Sequence, residues 1–390
     1  MLRVTLSLFI IICTQVSIKA QRLVSRSEAF ELAISNQRNL RPGNLNVVQQ
    51  EQVLKGSSGF SNPQLQVQAS PYEPMVIGVQ QSFSLPAVYQ NRKELQNERI
   101  KFAKLQLAGS QLDLKRAVNT SYFQLQYFTA RIKLLTYQDS VYTAIKVAAK
   151  RFFDAGQINK LEELQAVSQA DRIHNEVVRA LTELQSEKQV FSFYTNMNDS
   201  FNLEPIDIYP YTALNDTLPN TIQKQLLAQQ VAINRRELQL QKAGNLPSIT
   251  AGLLFPTTKI YERAIGYQVG VGIPIWTRQN KSRIAAAQTG IDISIAQQEL
   301  ANQQLNTDYR QAIYTYRKEQ QSLAYFNEIA LPQARAIIET SQRLFQGGEL
   351  NYIESLRNLQ MAFQILNDHL ETHRALNQSV IELNYLEQTL

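Results

Sequence analysis

Hydrophobic and polar positions follow two different periods along this chain, and the switch between them happens twice. Over residues 25–56 the apolar positions have helical spacing, opened by Ser25 and Ser27 as cap candidates ahead of Glu28. Pro42-Gly43 interrupts that pattern and predicts a kink or a split. Gln64–Ser70 then alternates strictly, with Leu65, Val67 and Ala69 on one face and glutamines, Gln66 among them, on the other. After Pro71–Pro74 the alternation resumes, broken once by Gln81. Ile77, Val79, Phe83 and Leu85 share one face, and Gly78, Gln80, Ser82 and Ser84 the other. Two alternating runs about a proline-bounded turn predict a hairpin over about residues 62–86. A second hairpin is predicted over about residues 247–275. There Ile249, Ala251, Leu253 and Phe255 alternate with Ser248, Thr250 and Gly252. Past Pro256 to Arg263, Ile265, Tyr267, Val269, Val271 and Ile273 alternate with Gly266, Gln268, Gly270 and Gly272.

The remainder reads as helix. Between Ala87 and Phe153 there is no proline and one glycine, Gly109, enough for on the order of 100 Å of helix. Residues 276–344 form a counterpart carrying Pro332, and residues 157–198 and 349–388 run back. Apolar residues recur at seven-residue spacing in Ile100, Leu107 and Leu114, and again in Val118, Leu125 and Ile132. Leu356, Leu359, Phe363, Leu366 and Leu370 extend the pattern near the end, which predicts coiled-coil-like seams.

The chain also repeats itself. Arg151-Phe-Phe-Asp-Ala-Gly156-Gln-Ile-Asn159-Lys-Leu-Glu162-Glu-Leu164 returns as Arg343-Leu-Phe-Gln-Gly-Gly348-Glu-Leu-Asn351-Tyr-Ile-Glu354-Ser-Leu356, with six of fourteen positions identical at an offset of 192. Phe60–Val67 returns as Gly244–Ala251, and Leu85-Pro86 as Ile273-Pro274. A duplication of this length implies one supersecondary plan used twice. The expected organisation is a first repeat over 21–198, an Asn-, Asp- and Pro-rich linker over 199–220, and a second repeat over 221–390.

Composition narrows the chemistry. The 390 residues are 44% hydrophobic and only 18% charged, with Gln, Asn, Ser and Thr in place of charge. That balance suits wet surfaces that face each other, such as a polar lumen or a broad helix seam. Met1 to Ala20 combines basic Arg3 with a short apolar run and reads as a signal peptide cleaved after Ala20. Ile12 ahead of Cys13 is a poor match to the small residue that lipidation needs. Loss of Arg3 and Lys19 takes the formal charge from +6 to +4, and no basic run provides a nucleic-acid footprint. Three histidines and one cysteine leave little material for cofactor sites, and no cofactor is expected. No nucleophile elbow, phosphate loop or dinucleotide fingerprint is present, so the chain does not read as an enzyme. His369 and His373 have the i, i+4 spacing of metal ligands. His373 continues the seam of Leu359 and Leu366, however, so both read as polar seam residues and no metal site is expected.

Apart from Met1–Ala20, no segment approaches 18 consecutive apolar residues, so entry into a membrane requires strands. The alternating runs carry about nine to eleven residues each, enough for a tilted strand to cross a bilayer. Four strands in an open sheet leave unpaired edges, which in lipid cost several kcal/mol per unsatisfied group. Closure therefore calls for oligomerisation, and three chains supply twelve strands. Leu65, Val67, Ile77, Val79, Phe83, Ile249, Leu253, Phe255, Ile265, Tyr267, Val269 and Val271 are the expected lipid-facing set. Gln66, Gln80, Ser82, Thr250 and Gln268 are the expected lumen set.

The order helix, hairpin, long helix, Arg–Gly turn, helix, given twice, resembles the TolC family of outer-membrane efflux proteins along essentially the whole chain after the leader. Gly266-Tyr-Gln-Val-Gly-Val-Gly-Ile-Pro274-Ile-Trp, followed by Gln279-Asn-Lys281-Ser-Arg283, looks most like members that serve heavy-metal pumps of the resistance-nodulation-division type. The resemblance implies a mainly α fold with a transmembrane β-barrel: a homotrimer with a twelve-stranded barrel in the outer membrane of a Gram-negative bacterium and a helical tunnel in the periplasm. It also implies a periplasmic adaptor and an inner-membrane pump as partners. Arg151, Phe153, Gly156 and Asn159, with Arg343, Phe345, Gly348 and Asn351, would form the helix tips that dock the adaptor. The implied function is a passive efflux conduit, with heavy-metal cations as cargo. Multidrug efflux, a protein-secretion duct and a poreless periplasmic scaffold are the alternatives.

Overall fold

The computed structural model describes residues 22–36, 38–70, 73–197, 201–209, 211, 218–257, 265–275, 277–347 and 349–389. The expected signal segment, the two interstrand loops, part of the linker and Gly348 lie outside them.

The first amphipathic stretch is two helices, α1 (Arg26–Ser35) and α2 (Arg41–Gly56). Ser25 caps α1, its hydroxyl accepting from the Glu28 amide at 3.2 Å, and Pro42 stands in the first turn of α2 where no N–H is needed. Strands β2 (Gln64–Ser70) and β3 (Glu73–Phe83) form the first hairpin, and β5 (Ser248–Pro256) and β6 (Gly266–Gly272) the second. They join in one antiparallel sheet of order β2-β3-β5-β6. The central strands have eleven and nine residues and the outer ones seven each, fewer than the alternation implied, because each outer strand has a neighbour on one side only among the described residues. Ile265 falls just before β6, and Leu85 caps the following helix.

That helix, α3 (Pro86–Asp154), runs unbroken for 69 residues, about 100 Å. It returns through α4 (Lys160–Thr195). The second half repeats the order with α5 (Ile222–Ala243), the second hairpin, α6 (Thr277–Tyr325), α7 (Leu331–Gln346) and α8 (Tyr352–Glu387). Between α6 and α7 lies a π-helical turn, Phe326–Ala330. Pro332 donates no hydrogen bond and its ring crowds the carbonyl four residues back, and the wider turn absorbs that conflict.

A short parallel pair, β1 (Arg22–Val24) with β4 (Phe201–Leu203), ties the N-terminal segment to the linker and was not foreseen in the sequence. Around it Val24, Ala33, Val118, Tyr122, Phe191 and Phe201 form one apolar cluster. Others are strung along the helices; the one nearest the α3–α4 turn joins Tyr142, Ile145, Ala166, Ile338, Leu359 and Phe363. Burial thus follows the seam of a long bundle. Ile100, Leu114, Val118 and Leu125 are buried on α3, as their heptad spacing required.

Candidate functional site

The sheet is built with its solvent preference reversed. Along β5 and β6, Ile249 pairs with Val271, Ala251 with Val269 and Leu253 with Tyr267. Along β2 and β3, Leu65 pairs with Val79 and Val67 with Ile77. One face is therefore apolar across all four strands, and it is the bare one: Tyr267 is 85% exposed, Leu65 and Val269 72%. Val67, Val79, Ile249, Leu253, Phe255, Ile265 and Val271 are exposed too, while Ile77 and Phe83 are half-buried, the latter against the Phe60 ring at 5.3 Å. Gln81, the break in the alternation, sits on this face at the helix-side end, where its amide turns back to Ser61.

The opposite face carries Gln66, Gln80, Ser82, Thr250 and Gln268. Gln80 donates to Gln64 at 3.0 Å, and Gln66 donates to Gln268 at 2.9 Å. The second bond joins the two outer strands, which would stand about 14 Å apart in a flat sheet. The polar face is therefore concave. Glycine makes room for the crossing, since a Cβ on Gly78 would come within 3.0 Å of Gln66 and 2.8 Å of Leu254.

At the other end, the repeated motif resolves into paired helix hairpins. In the first, Gln157 N–H donates to Phe152 O at 2.8 Å and Gly156 N–H to Phe153 O at 2.9 Å, with Gly156 at φ +71°, a Schellman ending. Asn159 then starts α4 by accepting from Glu162 N, and Glu162 accepts from Asn159 N, a full capping box. The second hairpin keeps the long bond, Glu349 N–H to Leu344 O at 3.0 Å, and the cap, Asn351 accepting from Glu354 N at 2.9 Å. Arg151 and Arg343 occupy the last turns of α3 and α7, where a cation suits the carbonyl end, and both are exposed. The two tips touch: the Phe152 and Phe345 rings meet edge-to-face at 6.1 Å, and Lys160 Nζ lies 4.9 Å over Phe153. Leu161 and Leu164, which sequence reasoning did not single out, are bare on α4 and line a groove with Ile353 and Leu356 of α8. Leu164 and Leu356 are the same repeat position, exposed in one hairpin and buried in the other.

His369 and His373 face each other across one turn of α8 with ring centroids 6.4 Å apart, and His369 Nε2 lies 3.1 Å from Asn327 Oδ1 in the π-turn. Burial lowers both pKa values; Arg335 adds to the effect at His369, and His369 adds to it at His373 against the opposing pull of Asp207. Among the described residues no group of three or more His, Cys, Asp or Glu side chains is placed to hold a metal ion, and no helix is long and apolar enough to cross a membrane.

No protein-family model and no curated protein sequence matches the chain. Solved structures do. CusC, described for its folding and transmembrane channel formation, is 15% identical with a TM-score of 0.78, covering 94% of this chain and 93% of CusC. The CmeC outer membrane channel of Campylobacter jejuni is 13% identical with a TM-score of 0.76, covering 93% of this chain and 85% of CmeC. The open-state MtrE outer membrane channel of Neisseria gonorrhoeae is 12% identical with a TM-score of 0.74, covering 93% and 88%. This chain has a TolC-like fold. One unbroken helix, α3, begins beside the sheet at Pro86 and ends at the first tip at Asp154, about 100 Å away. The likeness at these identities is one of fold.

Proposed function

We propose that this chain is the outer-membrane channel of a tripartite efflux system, a passive conduit from the periplasm or a partner pump to the exterior. One observation carries the reading: the sheet leaves its apolar face bare, curls its glutamines inward, and has an unpaired edge on β2 and on β6 among the described residues. Three copies joined edge to edge close a twelve-stranded barrel, with Leu65, Tyr267 and Val269 towards lipid and Gln66, Gln80 and Gln268 towards the lumen. The two repeats, 21–198 and 221–390 about the 199–220 linker, give that trimer its pseudo-sixfold character. The tips at Arg151–Asn159 and Arg343–Asn351 then lie in the periplasm, where the groove of Leu161 and Leu164, edged by exposed Arg357, offers an adaptor protein a seat.

The finer reading, heavy-metal cations delivered by an inner-membrane resistance-nodulation-division pump, rests on the resemblance of Gly266–Trp276 and Gln279–Arg283 to metal-efflux members. Growth of a deletion strain across metal ions, antibiotics and bile salts tests it. Selective sensitivity to copper, silver, zinc, cobalt or cadmium is expected. Sensitivity to bulky amphiphiles alone moves the assignment to multidrug efflux, and absence of the protein from the outer-membrane fraction removes the channel reading altogether.

A further inference from the structure

Asn377 of α8 is fully buried, and its amide orientation is dictated by the linker. Its Oδ1 accepts from Tyr209 N–H at 2.8 Å and its Nδ2 donates to Asp207 O at 2.7 Å. One partner only donates and the other only accepts, so the amide cannot flip. The remaining Nδ2 proton faces His373 Nδ1 at 3.5 Å, a contact that requires Nδ1 to be bare. Next along α8, the His369 ring packs on His373 and on Phe326, and its Nε2 meets Asn327 of the π-turn. His373 thus stands between two polar anchors of α8, Asn377 on the linker and His369 on the π-turn, meeting the first at 3.5 Å and the ring of the second edge-to-face.

We propose that His373 is a proton-operated latch, holding α8 to the linker and the π-turn while its Nδ1 is bare and releasing that contact when Nδ1 is protonated. A proton on Nδ1 sets one N–H against another, and Asn377 cannot rotate to relieve it without abandoning both linker bonds. It also places a cation in a half-buried seam beside a second imidazole. Asp207 of the linker favours that cation, the His369 ring beside it opposes it, and Arg335 of α7 acts on His369. Glu371 and Arg374 of α8 pair with each other at 3.4 Å and are both engaged with Tyr127 of α3, near Arg131. Lys318 and Glu319, on the α6 turns below Phe326, pair with each other at 2.7 Å, and Glu328 lies within the π-turn itself. The lowered pKa of both histidines agrees with this arrangement. The sign follows: a folded-state value below the free one keeps the latch whole above the free imidazole pKa and weakens it as pH falls towards the folded value. The inference concerns the joint alone and stands whether or not the chain conducts.

The test is amide hydrogen exchange on the full-length assembled protein at about pH 7.5 and about pH 5.5, corrected for chemical exchange rates. Severalfold loss of protection on acidification is expected in α8 around residue 373, the π-turn and residues 201–209, with the α3–α4 tip unchanged. His373→Gln, uncharged at both pH values, is expected to abolish the difference. Equal protection at both pH values, or a His373→Gln protein that still responds as the wild type does, overturns the proposal. Should that variant fail to assemble, histidine C2–H exchange on the wild-type protein gives the midpoint of His373 directly. A protection loss that follows this midpoint, below that of free imidazole, sustains the latch; loss at any other midpoint defeats it.

Discussion

Gly156 shows how a single position acts here. Its φ of +71° lies in the left-handed region that L side chains adopt at a cost, and open space surrounds it, so a substitution is strained without clashing. Gly156→Ala is expected to lower stability by about 1 kcal/mol, and Asn159→Ala by about 1 kcal/mol through loss of the capping box. Thermal melting of the assembled protein reads both. Arg151→Ala, which removes only an exposed cation from a helix end, is expected to shift melting far less. Glu187 makes the opposite case. Burial raises its pKa although Ser121 donates to it at 2.6 Å. The folded form therefore holds a proton that the unfolded chain releases near 4.5, and this group's contribution fades as pH rises through the raised value. Glu187→Gln keeps the acceptor and discards the charge, so the variant should melt higher than wild type at neutral pH and lose that advantage near pH 4. A lower melting point at neutral pH would count against a buried charge.

The strands and helices divide the work by period. A sheet with one apolar face ordinarily turns that face to a core, but here the helices lead away from it and the polar face is the one that curls inward. If lipid covers the apolar face, Val269→Arg costs about 2–4 kcal/mol near the bilayer midplane, and its neighbour Gln268→Ala on the polar face costs little. The yield of heat-modifiable folded protein in outer-membrane fractions separates the two variants. Comparable yields would argue that both faces are wet. The same elements show what period alone leaves out. Alternation located both hairpins and assigned their faces, because residue i and i+2 share a face whatever the partner strand. Strand ends were less legible: the ladder stops where neighbours stop, which left seven residues in β2 and β6. The π-turn had a signal in Pro332, yet the choice between a kink and a wider turn depends on what α8 packs against it.

Four strands with two edges unpaired among the described residues are an incomplete object. Cysteine pairs, one placed within 64–70 and one within 266–272, are expected to cross-link neighbouring copies into a ladder ending at three chains. Cys13 is the sole native cysteine, so a chain processed after Ala20 brings none of its own. Links that stop at two chains, or none at any register, would mean the edges meet something else. The tips call for a measurement at the same scale. If an adaptor seats in the groove at the tips, Leu161→Asp together with Leu164→Asp, both exposed on the single chain, is expected to weaken its capture in a pull-down while the yield of assembled protein stays unchanged.

Periodicity, repetition and a few obligate residues determined the elements of this protein. Alternation makes a strand two-faced, heptads make a helix seam, and glycine, asparagine and proline set the turns through backbone constraints that act locally. None of this required knowing what lies across the seam. The tertiary structure decided everything that depends on distant chain segments. It brought Gln66 to Gln268, joined the Phe152 and Phe345 tips, paired β1 with β4 and fixed the Asn377 amide between Asp207 and Tyr209. It also gave Leu164 and Leu356, identical in the repeat, opposite surroundings. Burial and hydrogen-bond partnership are properties of the neighbours a residue acquires, and residues 170 or 200 positions apart become neighbours only when the helices have packed.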